Sequence, residues 1–261
     1  GPRLHRCDAT GQARQSWDLP DKIGFIALTQ RPERLLLGLE SGLHLFAPDS
    51  GEAGGLRRVS ETNAWPPRTR PNDGKVDRSG RLWFGTMETD QRPGAGALYR
   101  FDRNGRCRSL EQGWTIPNGP AFSPDHARLY WGDSARRTVF AFDFHPDAEP
   151  KNPRVFLRFA DNEPGVPDGM AADTEGCLWV AHNGGGCIAR YSPGGQCMGR
   201  VPFPARAVSS CAFGGIEMST LFVTTARQGA GPDDEPDACG ALFAVETTAQ
   251  GLPAGSLSLD Q

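Results

Sequence analysis

The sequence predicts an all-β fold: a six-bladed β-propeller, its first blade incomplete at the N-terminus, with residues 1–261 forming a single domain. Three observations predict it. Of the 261 residues, 33 are Gly and 22 are Pro and only 38% are hydrophobic, a composition that favours short strands and frequent turns over long helices. Two families of strand-like segments recur at a spacing of roughly 40–55 residues, the period of a propeller blade. A β-sandwich would instead turn about every 8–12 residues without this longer modulation.

The first family, in chain order, begins at Arg3 ("RLHRCDATGQ"), Gly42, Ala97, Thr138, Cys187 and Ala241. Each copy is a short run of β-formers that ends in an Asp, Pro, Asn or Gly cluster, the pattern of a hairpin strand. Six copies predict six blades. The second family is a Leu-aromatic segment after a turn: "DRSGRLWFGT" around Leu82, "SPDHARLYWGD" around Leu129, "DTEGCLWVAH" around Leu178 and "IEMSTLFVTTA" around Leu221. Trp83, Trp131 and Trp179 recur with it and are expected in the blade cores.

Composition also excludes. A net charge of −3, from 28 Lys and Arg against 31 Asp and Glu, supplies no basic field for nucleic acid. No apolar run reaches the roughly 18 residues that a membrane helix needs. The 7 cysteines contain no C-x-x-C pair and predict no structural zinc site; they read as reduced, half-buried thiols of a cytoplasmic protein. Neither a G-x-S-x-G elbow nor an H-E-x-x-H helix is present, which argues against a serine hydrolase or a zincin.

Polar tripeptides stand about ten residues before the Leu-aromatic strands: "NDG" at Asn72, "PNG" at Asn118 and "PDG" at Asp168, with "SSC" at Ser210 in the corresponding place. In a propeller the loop entering the innermost strand reaches the channel mouth, so Asn72, Asn118, Asp168 and Ser210 are expected to ring one polar pocket. Any one tripeptide alone is a hairpin turn; three in register point to a site. Amide and carboxylate oxygens are hard donors suited to one divalent cation, Ca²⁺, Mg²⁺ or Mn²⁺, with Zn²⁺ or Fe²⁺ once water completes the shell. Open coordination positions suit a hydrolytic metal. Asp168, the one carboxylate at the axial position of the three tripeptides, is then ligand, general base or both.

The blocks "RPNDGKVDRSGRLWFGTM" (from Arg70), "IPNGPAFSPD" (from Ile116), "VPDGMAADTEGCLWVA" (from Val166), "SSCAFGG" (from Ser209) and "LFVTTAR" (from Leu221) resemble the senescence marker protein, gluconolactonase and luciferin-regenerating enzyme family, which includes regucalcin and bacterial sugar lactonases. The likeness runs from near residue 1 to about residue 257. It implies a six-bladed propeller with one divalent metal at its axis and hydrolysis of a small-molecule sugar lactone. Asn118 and Asp168 match two metal ligands of the family, and Asp168 also matches its proposed general base. Arg70 and Asn72 match residues that bind sugar hydroxyls. Asp90 falls where some members place a substrate-contacting Glu, and reads equally as a solvated acidic turn.

One family feature is missing. The Glu of a "GEGP" motif, a third metal ligand, has no counterpart here. The axial residue precedes its hairpin strand by 20 residues or more in the other blades, whereas the first copy begins at Leu4, so its axial residue would fall before residue 1. Either the chain is a fragment lacking the N-terminal part of blade one, or the ring closes differently and holds metal poorly. The expected function is a metal-dependent, gluconolactonase-like lactonase with Asp168 as general base. The alternatives are a phosphotriesterase- or arylesterase-like hydrolase and a non-catalytic ligand-binding propeller. Neither nucleic acid nor membrane is an expected partner. His182 and Asn183, in "AHNGGG", are expected at the surface, away from the site.

Overall fold

The computed structural model describes residues 2–50, 55–60, 65–227, 231 and 234–259. It shows an all-β propeller fold with five blade sheets, and helix among the described residues is confined to a 3₁₀ turn at Pro236–Ala238. The strands are β1 (Arg3–Arg6), β2 (Gln15–Asp18), β3 (Ile23–Thr29), β4 (Leu35–Leu39), β5 (Gly42–Phe46), β6 (Arg57–Arg58), β7 (Thr69–Val76), β8 (Leu82–Glu88), β9 (Gly96–Phe101), β10 (Cys107–Trp114) and β11 (Pro117–Phe122). They continue as β12 (Arg128–Asp133), β13 (Thr138–Asp143), β14 (Lys151–Arg158), β15 (Val166–Ala172), β16 (Leu178–Asn183), β17 (Cys187–Tyr191), β18 (Cys197–Pro202), β19 (Val208–Gly214), β20 (Thr220–Thr225), β21 (Leu242–Glu246) and β22 (Ser256–Leu257). From the second copy onward, the two sequence families are the third and second strands of the blades.

The chain divides into two compact units, Gly1–Pro117 with Ala254–Gln261, and Asn118–Pro253. In the first unit, β3 to β6 and β7 to β10 form two blades of consecutive antiparallel strands. β22 adds to β3 in parallel, pairing Ser256 with Leu28, so the edge of β3 is covered rather than open. The first copy of the repeat forms a two-stranded sheet, β1–β2, so the described sheets of three or more strands number five where six blades are expected. This hairpin packs Leu4 and Leu19 against Leu37, Leu39 and Phe46. The blades share a core of Leu36, Leu43, Leu82, Phe84 and Phe101, with Phe84 stacked on Tyr99 at 5.3 Å. Each such side chain contributes about 1.5–3 kcal/mol on full burial.

In the second unit, β11 to β14 and β15 to β18 form four-stranded blades and β19 to β21 a three-stranded one. Tyr130, Val139, Leu178 and Val180 belong to one core, and Trp179, Ile188, Val208 and Leu221 to another. Trp83, Trp131 and Trp179 are buried, as their recurrence predicts. His182 is not at the surface: it is 0% exposed, with Nε2 3.0 Å from the Tyr191 hydroxyl and its ring 4.3 Å from that of Phe159. The reason is the place of β16 between β15 and β17, which keeps five of its six residues buried.

The polar tripeptides do not lie in loops that enter a strand. They lie inside the first strands β7, β11 and β15. In β7, Pro71 faces Thr86 and Asp73 faces Gly85, so Asn72 is an extra residue. In β15, Pro167 faces His182 and Met170 faces Val180, so Asp168 and Gly169 together oppose Ala181. Gly24 in β3 and Ser209 in β19 are extra residues in the same way. A bulge leaves a residue without a ladder partner and re-aims its side chain. Residues that tolerate tight turns also tolerate this irregularity, which is why the sequence pattern resembles a turn.

Candidate functional site

The second unit holds Asn118, Asp168 and Ser210. Asn118 is the second residue of β11 and is buried. Its Nδ2 donates to Ser134 Oγ at 2.7 Å, and Ser134 Oγ donates to the Pro167 carbonyl at 2.6 Å. This chain ties the amide of Asn118 to the residue immediately before Asp168. On the other side of Asp168, a Cβ on Gly169 would lie 2.6 Å from Ser210 Cβ and 2.8 Å from Ser210 Cα, so β15 and β19 meet closely there only because residue 169 is Gly. Asp168 is thus bracketed by two fixed neighbours.

Asp168 is part-buried as a residue. Its Oδ2 accepts a hydrogen bond from Asn183 Nδ2 at 2.7 Å. Burial pushes its pKa up to about 6, opposed by the hydrogen bonds from Asn183 and from the Gly169 backbone. A carboxyl that titrates near neutrality is able both to accept and to return a proton. Asn183 is the residue that sequence reasoning missed and placed at the surface. Nothing local in the sequence marks it: its place beside Asp168 comes from the pairing of β16 with β15.

The first unit holds Arg70, Asn72 and Asp90. Arg70 and Asn72 are part-buried on β7. Arg70 Nη1 donates to the Pro71 carbonyl at 3.0 Å and to Asn72 Oδ1 at 3.2 Å, while Asn72 Nδ2 donates to the Pro117 carbonyl at 3.0 Å. Burial lowers the pKa of the Arg70 guanidinium, and the Glu40 carboxylate opposes this. The bulge brings β7 so close to β3 that a Cβ on Gly24 would lie 2.9 Å from the Asn72 carbonyl oxygen. Asp90 lies at an exposed turn, paired with Arg68. The buried carboxylate of this segment is Glu88, 8% exposed and facing Arg68 at 3.8 Å and Arg92 at 3.6 Å.

The donor chemistry in the second unit suits a hard divalent cation. With the NH₂ of Asn118 directed to Ser134, the other end of that amide is a carbonyl oxygen, and Asp168 adds a carboxylate. Among the described residues no group of three or more His, Cys, Asp or Glu gathers as a metal site. One amide oxygen and one carboxylate are donor types that fit a hard cation with open positions.

Antiparallel blades whose first strands carry polar residues, two of them bulged at Asn72 and Asp168, define an all-β propeller. The chain belongs to the SMP-30/Gluconolactonase/LRE-like family, whose model matches residues 1–227. It is 32% identical over 251 residues to 6-deoxy-6-sulfogluconolactonase of Pseudomonas putida, a match covering 95% of this chain and 85% of that protein. It is 36% identical over 258 residues to L-arabinolactonase of Azospirillum brasilense, covering 97% of this chain and 83% of the relative. Its structure is similar to that of a calcium-binding protein, regucalcin, from Agrobacterium tumefaciens strain C58, with a TM-score of 0.88 and 27% identity over 97% of this chain and 85% of that one.

Proposed function

We propose that this protein is a metal-dependent hydrolase that opens sugar lactones. The observation that carries the reading is Asp168, a bulged carboxyl with a pKa near 6 that is anchored through Pro167 and Ser134 to the amide of Asn118. The lactonases among its relatives support the substrate class. When bound by Asn118 and Asp168, a divalent cation would polarise the lactone carbonyl. Asp168 takes the proton of the attacking water and returns it to the ring oxygen as that bond breaks. Arg70 and Asn72 hold sugar hydroxyls, and Asp90 is an outer contact whose carboxylate is shared with Arg68. Calcium is among the fitting cations, a reading supported by the description of the regucalcin relative as calcium-binding.

The reading takes residues 1–261 as one six-bladed propeller domain in which β1–β2 represents the outer strands of an incomplete first blade. The continuous family match over residues 1–227 supports it. Seven cysteines without a disulfide support a cytoplasmic location.

The test is a panel of aldonolactones, an aryl ester and a phosphotriester, each assayed with Ca²⁺, Mg²⁺, Mn²⁺, Zn²⁺ and Fe²⁺. Lactones should give the highest kcat/KM, and Asp168→Asn should lower kcat by about 10²–10⁴. A phosphotriester turned over faster than every lactone, or wild-type rates in Asp168→Asn, would overturn the assignment.

A further inference from the structure

We propose that Asn183 is the positioning residue for Asp168, fixing the rotation of its carboxylate. This rests on the reading of Asp168 as the acid–base and metal-binding group. The backbone on both sides of Asp168 is already held: Pro167 accepts from Ser134, and Gly169 sits against Ser210. The bulge, however, leaves Asp168 and Gly169 to share Ala181 as their one facing residue. The torsion that turns a carboxylate plane is broad and weakly restrained. The Gly169 backbone N–H reaches the carboxylate as well, but one contact leaves the plane free to pivot about it; the Nδ2-to-Oδ2 hydrogen bond of 2.7 Å is the second contact that fixes the rotation.

Asn183 stands on a fixed stretch of backbone. It is the last residue of β16, paired on one side with Val166 of β15 and on the other bridged to Ala207. The next residue, Gly184, donates its N–H to the Arg206 carbonyl at 2.9 Å. Gly165 lies so close that a Cβ there would come 2.9 Å from the Asn183 carbonyl oxygen, and its φ of +82° also favours Gly. A backbone held on both flanks fixes the Cα from which the Asn183 amide reaches Asp168, which is what a group acting through a second residue requires.

A strand-end amide that merely satisfied its own polarity would affect stability alone. A positioning residue also alters cation binding and turnover. Asn183→Leu keeps the branching at Cγ and removes the donor; Asn183→Ala serves if the larger Leu does not fit; Asn183→Gln returns an amide. Crystal structures, Mn²⁺ affinity by calorimetry, and kcat and KM on the best lactone are compared with wild type and Asp168→Asn. The expected result is an Asp168 carboxylate in more than one orientation in the Leu or Ala variant, Mn²⁺ affinity and kcat each lower by about 10–100-fold, KM within about threefold, and partial recovery in Asn183→Gln. A folded Leu or Ala variant with wild-type affinity and kcat overturns the proposal, even where Asp168→Asn abolishes both. If wild type shows neither Mn²⁺ binding nor lactonase activity, the functional reading fails instead; an Asp168 carboxylate that keeps its orientation without Asn183 then overturns the positioning role as well.

Discussion

The indole N–H of Trp179 donates to Asp173 Oδ2 at 2.9 Å, and the Nε of Arg190 donates to the same oxygen at 2.8 Å. The other oxygen of this fully buried carboxylate accepts the backbone N–H groups of Glu175 and Cys177, so one Asp closes the turn and anchors the second and third strands of its blade. Asp77 repeats the arrangement with Trp83 at 2.8 Å and the N–H groups of Ser79 and Arg81. Removing the acid leaves the buried indole and two backbone N–H groups without their acceptor, while the part-buried Arg190 keeps Glu175 at 2.9 Å. Asp173→Ala should therefore cost about 2–3 kcal/mol in urea unfolding; a loss under about 1 kcal/mol would show that the module is not a structural anchor.

Stability should fall between pH 6.5 and about 4 through His182. Burial lowers its pKa from 6.5 to about 4, with Arg200 lowering it further and Glu163 opposing. The unfolded chain then binds the proton first, so this contribution is full above pH 6.5 and lost as pH falls through about 4, up to about 3 kcal/mol. Asp168 has the opposite sign: its raised pKa makes the fold gain stability as pH falls from about 6 towards 3.8. Denaturant midpoints at several pH values should show a smaller acid loss in His182→Gln and a larger one in Asp168→Asn. An unchanged slope in His182→Gln would refute its part.

Gly169→Ala should displace β15 from β19, because the added methyl would meet the Cα of Ser210, a backbone atom, at 2.8 Å. The expected cost is about 1–3 kcal/mol of stability, with a loss of turnover because Asp168 is the preceding residue. Ser210→Gly in the same chain removes two of the clashing atoms and should restore part of both. Normal melting and kcat in the single variant would mean that the strands separate freely.

Arg70→Lys should raise KM on the best lactone by about 10–100-fold and leave kcat within about threefold. Nη1 alone donates to both the Pro71 carbonyl and Asn72 Oδ1, and lysine, one atom shorter, does not reach that point and lacks the further N–H groups that the guanidinium keeps for a sugar. Steady-state kinetics decides it: a fall in kcat at constant KM would place Arg70 in the chemical step rather than in binding.

The sequence by itself determined the strand content, the blade repeat and the family resemblance, because these depend on local composition and on a period written along the chain. It also picked out Asn118 and Asp168, which the fold joins through Ser134 and Pro167. Tertiary structure alone decided the rest. Asn72 and Asp168 read as turn residues until strand register showed them in bulges, since the same small and polar residues suit both. Asn183 reached Asp168, and His182 reached Tyr191, because β16 pairs with β15 on one side and β17 on the other. Neither contact has a sequence signature of its own. Likewise β22 pairs with β3 across most of the chain, and Glu88 rather than Asp90 is the buried acid of its segment. Such contacts depend on which residues stand opposite one another after folding, and a shift of one residue in register would put each side chain on the other face of its sheet.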